Sequence, residues 1–188
     1  LFRATPNVHV INLDDEHAEY FLQFSAQEKY VYTMRQKKEK DVSLISGALY
    51  SPNQERGASF KIKDKVIHLQ LLGKFNIYNA LAAIGVAQSQ GISLSVCKAG
   101  LEKVEGVPGR MEEVISDSFK VIVDYAFTPQ ALEKVYRNLK DDFSPPQMIC
   151  VLGACGGGRD KWKRPVLGEI ASRHCQKVIV TNEDPYNE

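Results

Sequence analysis

The stretch "VLGACGGGRDKWKRP", Val151 to Pro165, decides how this chain is read. An apolar run suited to a buried strand enters a glycine loop with G-x-x-x-x-G spacing from Gly153 to Gly158, and a helical pattern follows. A P-loop shares that order, but it requires Lys and Ser or Thr directly after the second glycine, with the helix starting at once so that its N–H groups face the phosphates. Here Arg159 and Asp160 occupy those places, Asp160 would add negative charge beside phosphate, and the helix is expected only from about Pro165. The P-loop reading is therefore rejected. What remains is four cations in six residues, Arg159, Lys161, Lys163 and Arg164, following a flexible glycine hinge. Arg grips a carboxylate or phosphate with two parallel hydrogen bonds, whereas Lys acts as a movable point charge. On these residues alone, anion binding and a tight turn with a solvated basic face both stand open.

Outward from this loop, "FKVIVDYA", "QMICVLGA" and "KVIVTN" read as three short apolar strands separated by helices. The first helix is expected from Thr128 as N-cap and Pro129, burying Leu132, Val135, Tyr136 and Leu139; the second follows Pro165 and buries Leu167, Ile170, Ala171 and His174. Parallel βαβ units place ligands beyond the carboxyl ends of strands, so Asp124 to Phe127, Gly153 to Arg159 and Thr181 to Asp184 are expected to converge on one crevice.

Before about Val107 the texture differs. The strand-like "VHVINL" precedes a polar helix from Asp14, followed by "KYVYT", "VSLISGALY" and a hairpin of "ASFKIK" and "KVIHLQLL" turning at Asp64. One helix carries Ile77, Ala80, Leu81, Ile84 and Ala87 on a face, and another, from Leu94 to Val104 with Ser93 as cap, carries Val96, Ala99 and Leu101. His68 is read as an outward strand residue, and "NLDDEH" as a strand end plus helix cap rather than a metal site.

With 188 residues, 25% charged and a formal net charge of +1, nothing demands nucleic acid or a membrane surface as partner. No apolar run approaches the ~18 to 20 residues of a spanning helix, and the N-terminus lacks the pattern of a signal peptide, so a cytoplasmic setting is expected. Cys97, Cys150, Cys155 and Cys175 lack paired spacing and read as buried free thiols. The chain opens on Leu1 without Met and stops directly after a strand-like run, which suggests a piece of a longer protein.

Several separated segments resemble the Mur ligases, specifically the UDP-N-acetylmuramoyl-tripeptide synthetase branch: "VINLDDEH", "GKFNIYNALAAIGVA", "GVPGRMEEV", "VDYAFTPQALEKV", "GACGGGRDKWKRPVLGEIA" and "VIVTNEDPYNE", in family order over almost the whole chain. The "FNxxNALAA" element is common to the superfamily, including folylpolyglutamate and cyanophycin synthetases, whereas "GRDKxKRP" points to this branch. The resemblance implies an α/β fold in which residues 1–106 are the tail of the central ATPase domain and residues 107–188 begin a Rossmann-like C-terminal domain. It implies ATP-driven amide formation: the D-Glu carboxylate of UDP-N-acetylmuramoyl-L-Ala-D-Glu is phosphorylated, and a diamino acid attacks the acyl phosphate. Such chemistry asks mainly for positioning and charge neutralisation.

Residue by residue, Asn79 resembles the adenine-contacting asparagine, with Asn76 supporting its turn; Arg110 the domain-boundary arginine that reaches the nucleotide; Asp124 the acceptor of the ribose hydroxyls; and Arg159 the arginine that holds the incoming amino acid's carboxylate. Lys161, Lys163 and Arg164 would form an electropositive wall. Helix capping for the two asparagines and a strand-end turn for Asp124 are the bland alternatives. Two positions depart from the family pattern. Phe127 stands where "DYAHTP" carries His, which keeps a stacking surface and loses both ring nitrogens. In "EDPYNE", Asp184 and Tyr186 replace the Asn and Arg of "DNPR", which argues against meso-diaminopimelate and leaves L-lysine or another acceptor. The family's P-loop, its ligands for magnesium and its UDP-binding domain match no segment of this sequence, so the chain alone is expected to be inactive. The whole protein is expected to be a monomer. A cyanophycin-synthetase-type ligase and a non-catalytic nucleotide- or anion-binding module are the competing readings.

Overall fold

The computed structural model describes residues 1–35, 37–50, 57–158 and 160–187. The chain forms two compact units, Leu1–Val107 and Pro108–Glu188, and each is taken by itself.

In the first unit a five-stranded sheet has the order β1-β2-β3-β4-β5, formed by Val8–Asn12, Glu28–Thr33, Ser43–Leu49, Ala58–Ile62 and Lys65–Leu69. The first three strands run parallel and the last two add antiparallel. The hairpin turns through Lys63 and Asp64, with Ile62 opposite Lys65 and Lys63 in the left-handed region (φ 53°). Strand alternation sends Phe60, Ile62, Ile67 and Leu69 inward, where they meet Ile77, Leu81 and Ile84 of helix α2 (Phe75–Ser89). Each such side chain, fully buried, contributes about 1.5 to 3 kcal/mol of transfer free energy. The first α-helix, α1, is only Ala18–Leu22, later than the expected start at Asp14, because Asn12 and Asp15 turn the chain with their side chains: Asn12 Oδ1 accepts the Asp14 N–H at 3.0 Å and Asp15 accepts the His17 N–H at 2.8 Å.

Helix α3 (Leu94–Leu101) is capped by Ser93 as expected, but its inward face differs from the expected one. Val96 and Ala99 are exposed, and the packed residues are Leu94, Cys97 and Leu101, the i, i+3, i+7 set. Lys98 fixes that rotation by donating to the Val66 carbonyl of β5 at 2.7 Å and pairing with Glu102.

The second unit holds an antiparallel hairpin, β6 (Glu112–Ile115) with β7 (Val121–Val123), and a parallel pair, β8 (Ile149–Leu152) with β9 (Lys177–Val180). Helix α4 (Pro129–Phe143) begins as expected: the Thr128 hydroxyl accepts the Ala131 N–H at 3.3 Å and Pro129 sits where no N–H is needed. Helix α5 (Lys163–His174) begins two residues before Pro165. Leu132 and Tyr136 of α4 and Leu167, Ile170 and Ala171 of α5 pack with Cys150 and Cys175 into one core. His174 is half-buried, stacks on Tyr136 and binds Glu133 of α4 at 3.1 Å.

The expected three-stranded parallel arrangement is therefore corrected. Among the described residues of the second unit only β8-α5-β9 is a βαβ unit, and β7 is taken by β6. The Asp117–Ser118 turn, with the Ser118 N–H on Asp117 Oδ1 and Ser118 at φ 28°, brings "VIV" back against "EEVI", a local antiparallel pairing that needs no long crossover.

Candidate functional site

In the first unit the site residues lie at the start of α2. Gly73, with φ 87°, turns the chain so that the Leu72 carbonyl faces the first helical turn. Buried Asn76 donates to that carbonyl at 2.7 Å and accepts from Asn79 Nδ2 at 2.9 Å. Asn76 is thus the support, and exposed Asn79 is presented with its carbonyl and second N–H open among the described residues, the pattern needed to pair with a donor and an acceptor on a base edge. Next to Asn79 in sequence, Tyr78 donates to Asp14 at 3.0 Å, and Asp14 also accepts from the Thr33 hydroxyl and the Met34 N–H at 2.7 Å each. Burial pushes the Asp14 carboxyl up, but the hydrogen bonds from Met34, Thr33 and Tyr78 and the Arg35 charge outweigh it and hold it below the ordinary carboxylate value. "NLDDEH" is a structural knot at the end of β1, as the strand-end reading expects.

In the second unit the "GRM" turn is pinned to the end of β7. Tyr125 N–H donates to the Gly109 carbonyl at 2.8 Å, Met111 N–H donates to Asp124 Oδ2 at 2.8 Å, and the Arg110 guanidinium lies 5.4 Å over the Tyr125 ring. Met111 is buried at φ 48°, a strained backbone that places Arg110 beside the strand end. Burial raises the Asp124 carboxyl above its ordinary range more than Met111 and Arg110 lower it. Its Oδ1 has no hydrogen-bond partner among the described residues and is available to a hydroxyl.

Phe127 is 52% exposed, with its ring 5.5 Å from that of Tyr125, and Lys163 Nζ lies 5.2 Å above it. The end of β7 thus reaches α5 through a side chain, although β7 does not join the β8-β9 pair. Tyr125, passed over in the sequence reading, was legible there: a Tyr-x-Phe alternation puts both rings on one face of an extended segment.

The glycine loop closes on the other strand end. Thr181 N–H donates to the Leu152 carbonyl at 3.0 Å, Cys155 bridges Glu183, and Gly156 N–H donates to the Asp184 carbonyl at 3.0 Å. A Cβ on Gly156 would come within 2.4 Å of the Pro185 carbonyl oxygen, and one on Gly153 within 2.9 Å of Glu183 Cβ. These glycines are there for close packing of two loops, not as a hinge. The Tyr186 ring lies against Gly157, and both Asp184 (φ 38°) and Tyr186 (φ 52°) adopt left-handed conformations. A cavity of about 320 Å³ opens here, lined by Leu152, Gly156, Arg164, Thr181 and Glu183 among others. Arg164 donates to the Cys155 carbonyl at 3.2 Å, a brace for the loop. Lys161 is exposed, as is Trp162; Arg159 lies outside the described residues. A more open groove of about 450 Å³, lined by Tyr30, Ser43, Lys63 and Gln88, contains no candidate residue. Among the described residues no group of three or more His, Cys, Asp or Glu could hold a metal ion, so magnesium is assigned no ligand here.

Residues 1–87 match the model of the Mur ligase middle domain, and residues 109–188 that of the glutamate ligase domain of Mur ligases. The chain belongs to the Mur ligase family. This Mur ligase chain is 39% identical over 191 aligned positions to the UDP-N-acetylmuramoyl-L-alanyl-D-glutamate--2,6-diaminopimelate ligase of Clostridium tetani (strain Massachusetts / E88), covering 100% of this chain and 38% of that protein. It is 40% identical over 185 positions to the UDP-N-acetylmuramyl-tripeptide synthetase of Roseiflexus sp. (strain RS-1), covering 95% of this chain and 35% of the other. A solved structure of a UDP-N-acetylmuramoyl-L-alanyl-D-glutamate--2,6-diaminopimelate ligase superposes with a TM-score of 0.59 at 30% identity, covering 97% of this chain and 38% of that one. The chain thus spans little more than a third of the length of these relatives.

Proposed function

We propose that this Mur ligase chain carries the adenosine-contacting and acceptor-contacting residues of an ATP-dependent amide ligase of peptidoglycan precursor synthesis, one that adds a diamino acid to UDP-N-acetylmuramoyl-L-Ala-D-Glu. The observation that carries this reading is the pinning of the "GRM" turn onto the end of β7, which puts Arg110 beside Asp124 and leaves one carboxylate oxygen open. ATP supplies the phosphoryl group that turns the D-Glu carboxylate into an acyl phosphate, and the acceptor amine then forms the amide as phosphate departs. Asn79 offers its amide to the adenine edge, held by Asn76. Asp124 Oδ1 accepts from a ribose hydroxyl, while Arg110 supplies positive charge nearby. Phe127 offers a ring face in place of a hydrogen-bonding imidazole. Lys161 and Lys163 neutralise developing phosphate charge, and Arg159 holds the acceptor's α-carboxylate.

Relatives named for 2,6-diaminopimelate support a diamino acid as the acceptor. Tyr186, with no positive charge for a second carboxylate, favours L-lysine or another diamino acid without one. The whole protein is proposed to act as a cytoplasmic monomer, and the 188-residue chain alone to release no phosphate, because its sequence contains no G-x-x-G-K-[ST] segment.

The test uses the whole ligase. Replacing Arg159 with Ala is expected to raise the acceptor KM by about 10- to 150-fold, the loss of hydrogen bonds to a charged group, with little change in the ATP KM. A larger effect on ATP would move Arg159 to the phosphates. A panel of L-lysine, L-ornithine and meso-diaminopimelate decides the acceptor; preferential turnover of meso-diaminopimelate would overturn the role given to Tyr186.

A further inference from the structure

Lys163 is only 8% exposed, yet among the described residues its ammonium has no hydrogen bond. Among the described residues its anionic neighbour is Asp160, at 3.8 Å, beyond hydrogen-bond length and itself largely exposed. Its other neighbour is the Phe127 ring face, 5.2 Å away. Burial of the side chain's stem leaves the ammonium tip with N–H donors that no oxygen of the described residues takes up, and a ring face replaces only part of what such hydrogen bonds would supply. The backbone of α5 does not provide the alternative anion site. Lys163 N–H and Arg164 N–H are already bonded to the Asp160 and Lys161 carbonyls, at 3.0 and 3.2 Å, and Pro165 has no N–H. At the start of α5 the anion-engaging donors are therefore side chains, the Lys163 ammonium among them beside exposed Lys161.

We propose that Phe127 is a positioning residue: its ring, with Asp160 as a distant counter-charge, holds the Lys163 ammonium in place to receive a phosphoryl oxygen of the nucleotide. The substitution that removes the imidazole nitrogens thereby supplies a face that aims a cation, and Lys163 makes the contact with the ligand. The inference rests on the ligase reading for the identity of the nucleotide, but the clamp itself is tested independently of turnover.

Two measurements decide it. In carbon–proton NMR spectra of the 188-residue chain, the Lys163 ε-methylene protons are expected upfield of the other lysines through the Phe127 ring current. Phe127→Leu, which keeps bulk and removes the π face, should abolish that shift. Millimolar inorganic pyrophosphate should move the same signals in the wild type. Lys163 signals at ordinary positions, or unmoved by pyrophosphate, would overturn the clamp. In the whole ligase, Phe127→Leu should raise the ATP KM by about 2- to 30-fold, the range of a cation–π contact, and leave the acceptor KM unchanged. Phe127→Tyr, which keeps the face, should stay close to wild type. Equal losses in the Leu and Tyr variants, or a rise confined to the acceptor KM, would sink the proposal. A wild-type protein that turns over no acceptor would instead count against the ligase reading, with the NMR arm still decisive for the clamp.

Discussion

Two carboxylates show how local surroundings divide structure from function. Asp14 accepts three hydrogen bonds, and its carboxyl is held below the ordinary value of 3.8. A depressed carboxylate contributes stability that is present above its unfolded value and lost as pH falls through its folded one. The first unit should therefore lose this contribution below about pH 4. Asp14→Asn is expected to destabilise by about 1 to 3 kcal/mol at neutral pH, since one amide cannot accept all three bonds. Urea denaturation at neutral pH and at about pH 3 should show that difference narrowing in acid. Asp124 has the opposite sign: burial raises its carboxyl, so its charged form is a cost that acidification relieves. Asp124→Asn keeps an oxygen for the Met111 N–H and removes the buried charge. It should leave the melting temperature at pH 7 unchanged or higher while weakening nucleotide binding, a separation checked by thermal melts and ATP KM on the same variant.

Among elements, glycines separate close contact from open space. Gly85 lies on the buried face of α2, and a Cβ there would meet Val10 Cγ1 at 2.9 Å. Val10 is β-branched and stiff at χ1, so it gives little way. Gly85→Ala is expected to destabilise by about 1 to 3 kcal/mol, overpacking outweighing the helix-propensity gain of about 1 kcal/mol. Gly100 in α3 has nothing within 4 Å of a Cβ, and Gly100→Ala should stabilise by about 0.5 to 1 kcal/mol. Chemical denaturation of the two variants checks the opposite signs. The cap of α4 is a third case: Thr128→Ala should cost about 0.5 to 2 kcal/mol in the second unit.

At the scale of the whole molecule, two sets of buried residues stand apart in sequence. One is built from Phe60, Ile67, Leu81 and their neighbours, the other from Leu132, Tyr136, Leu167 and Ala171. Each forms its own cooperative core, so thermal unfolding is expected to be broader than a single two-state transition. Calorimetry should show Asp14→Asn and Thr128→Ala shifting different parts of the profile; a single transition moved alike by both would contradict this.

Local signals made much of this legible. The Lys63–Asp64 hairpin, the Ser93 and Thr128 caps and the inward face of α2 follow from turn chemistry, capping and 3.6-residue periodicity, all of which act within a few positions of chain. Partner choice between distant segments was not legible. An apolar strand such as "VIV" suits β6 as well as β8, and only the assembled sheet selected the local hairpin. The same holds for the loop from Gly153 to Gly158. Its residue types ruled out a P-loop from sequence alone, because Asp160 carries the wrong charge. That its glycines serve contact with Pro185 and Tyr186, and that Phe127 meets Lys163, was decided by tertiary structure, since distances between segments dozens of residues apart are set by packing and not by local propensity.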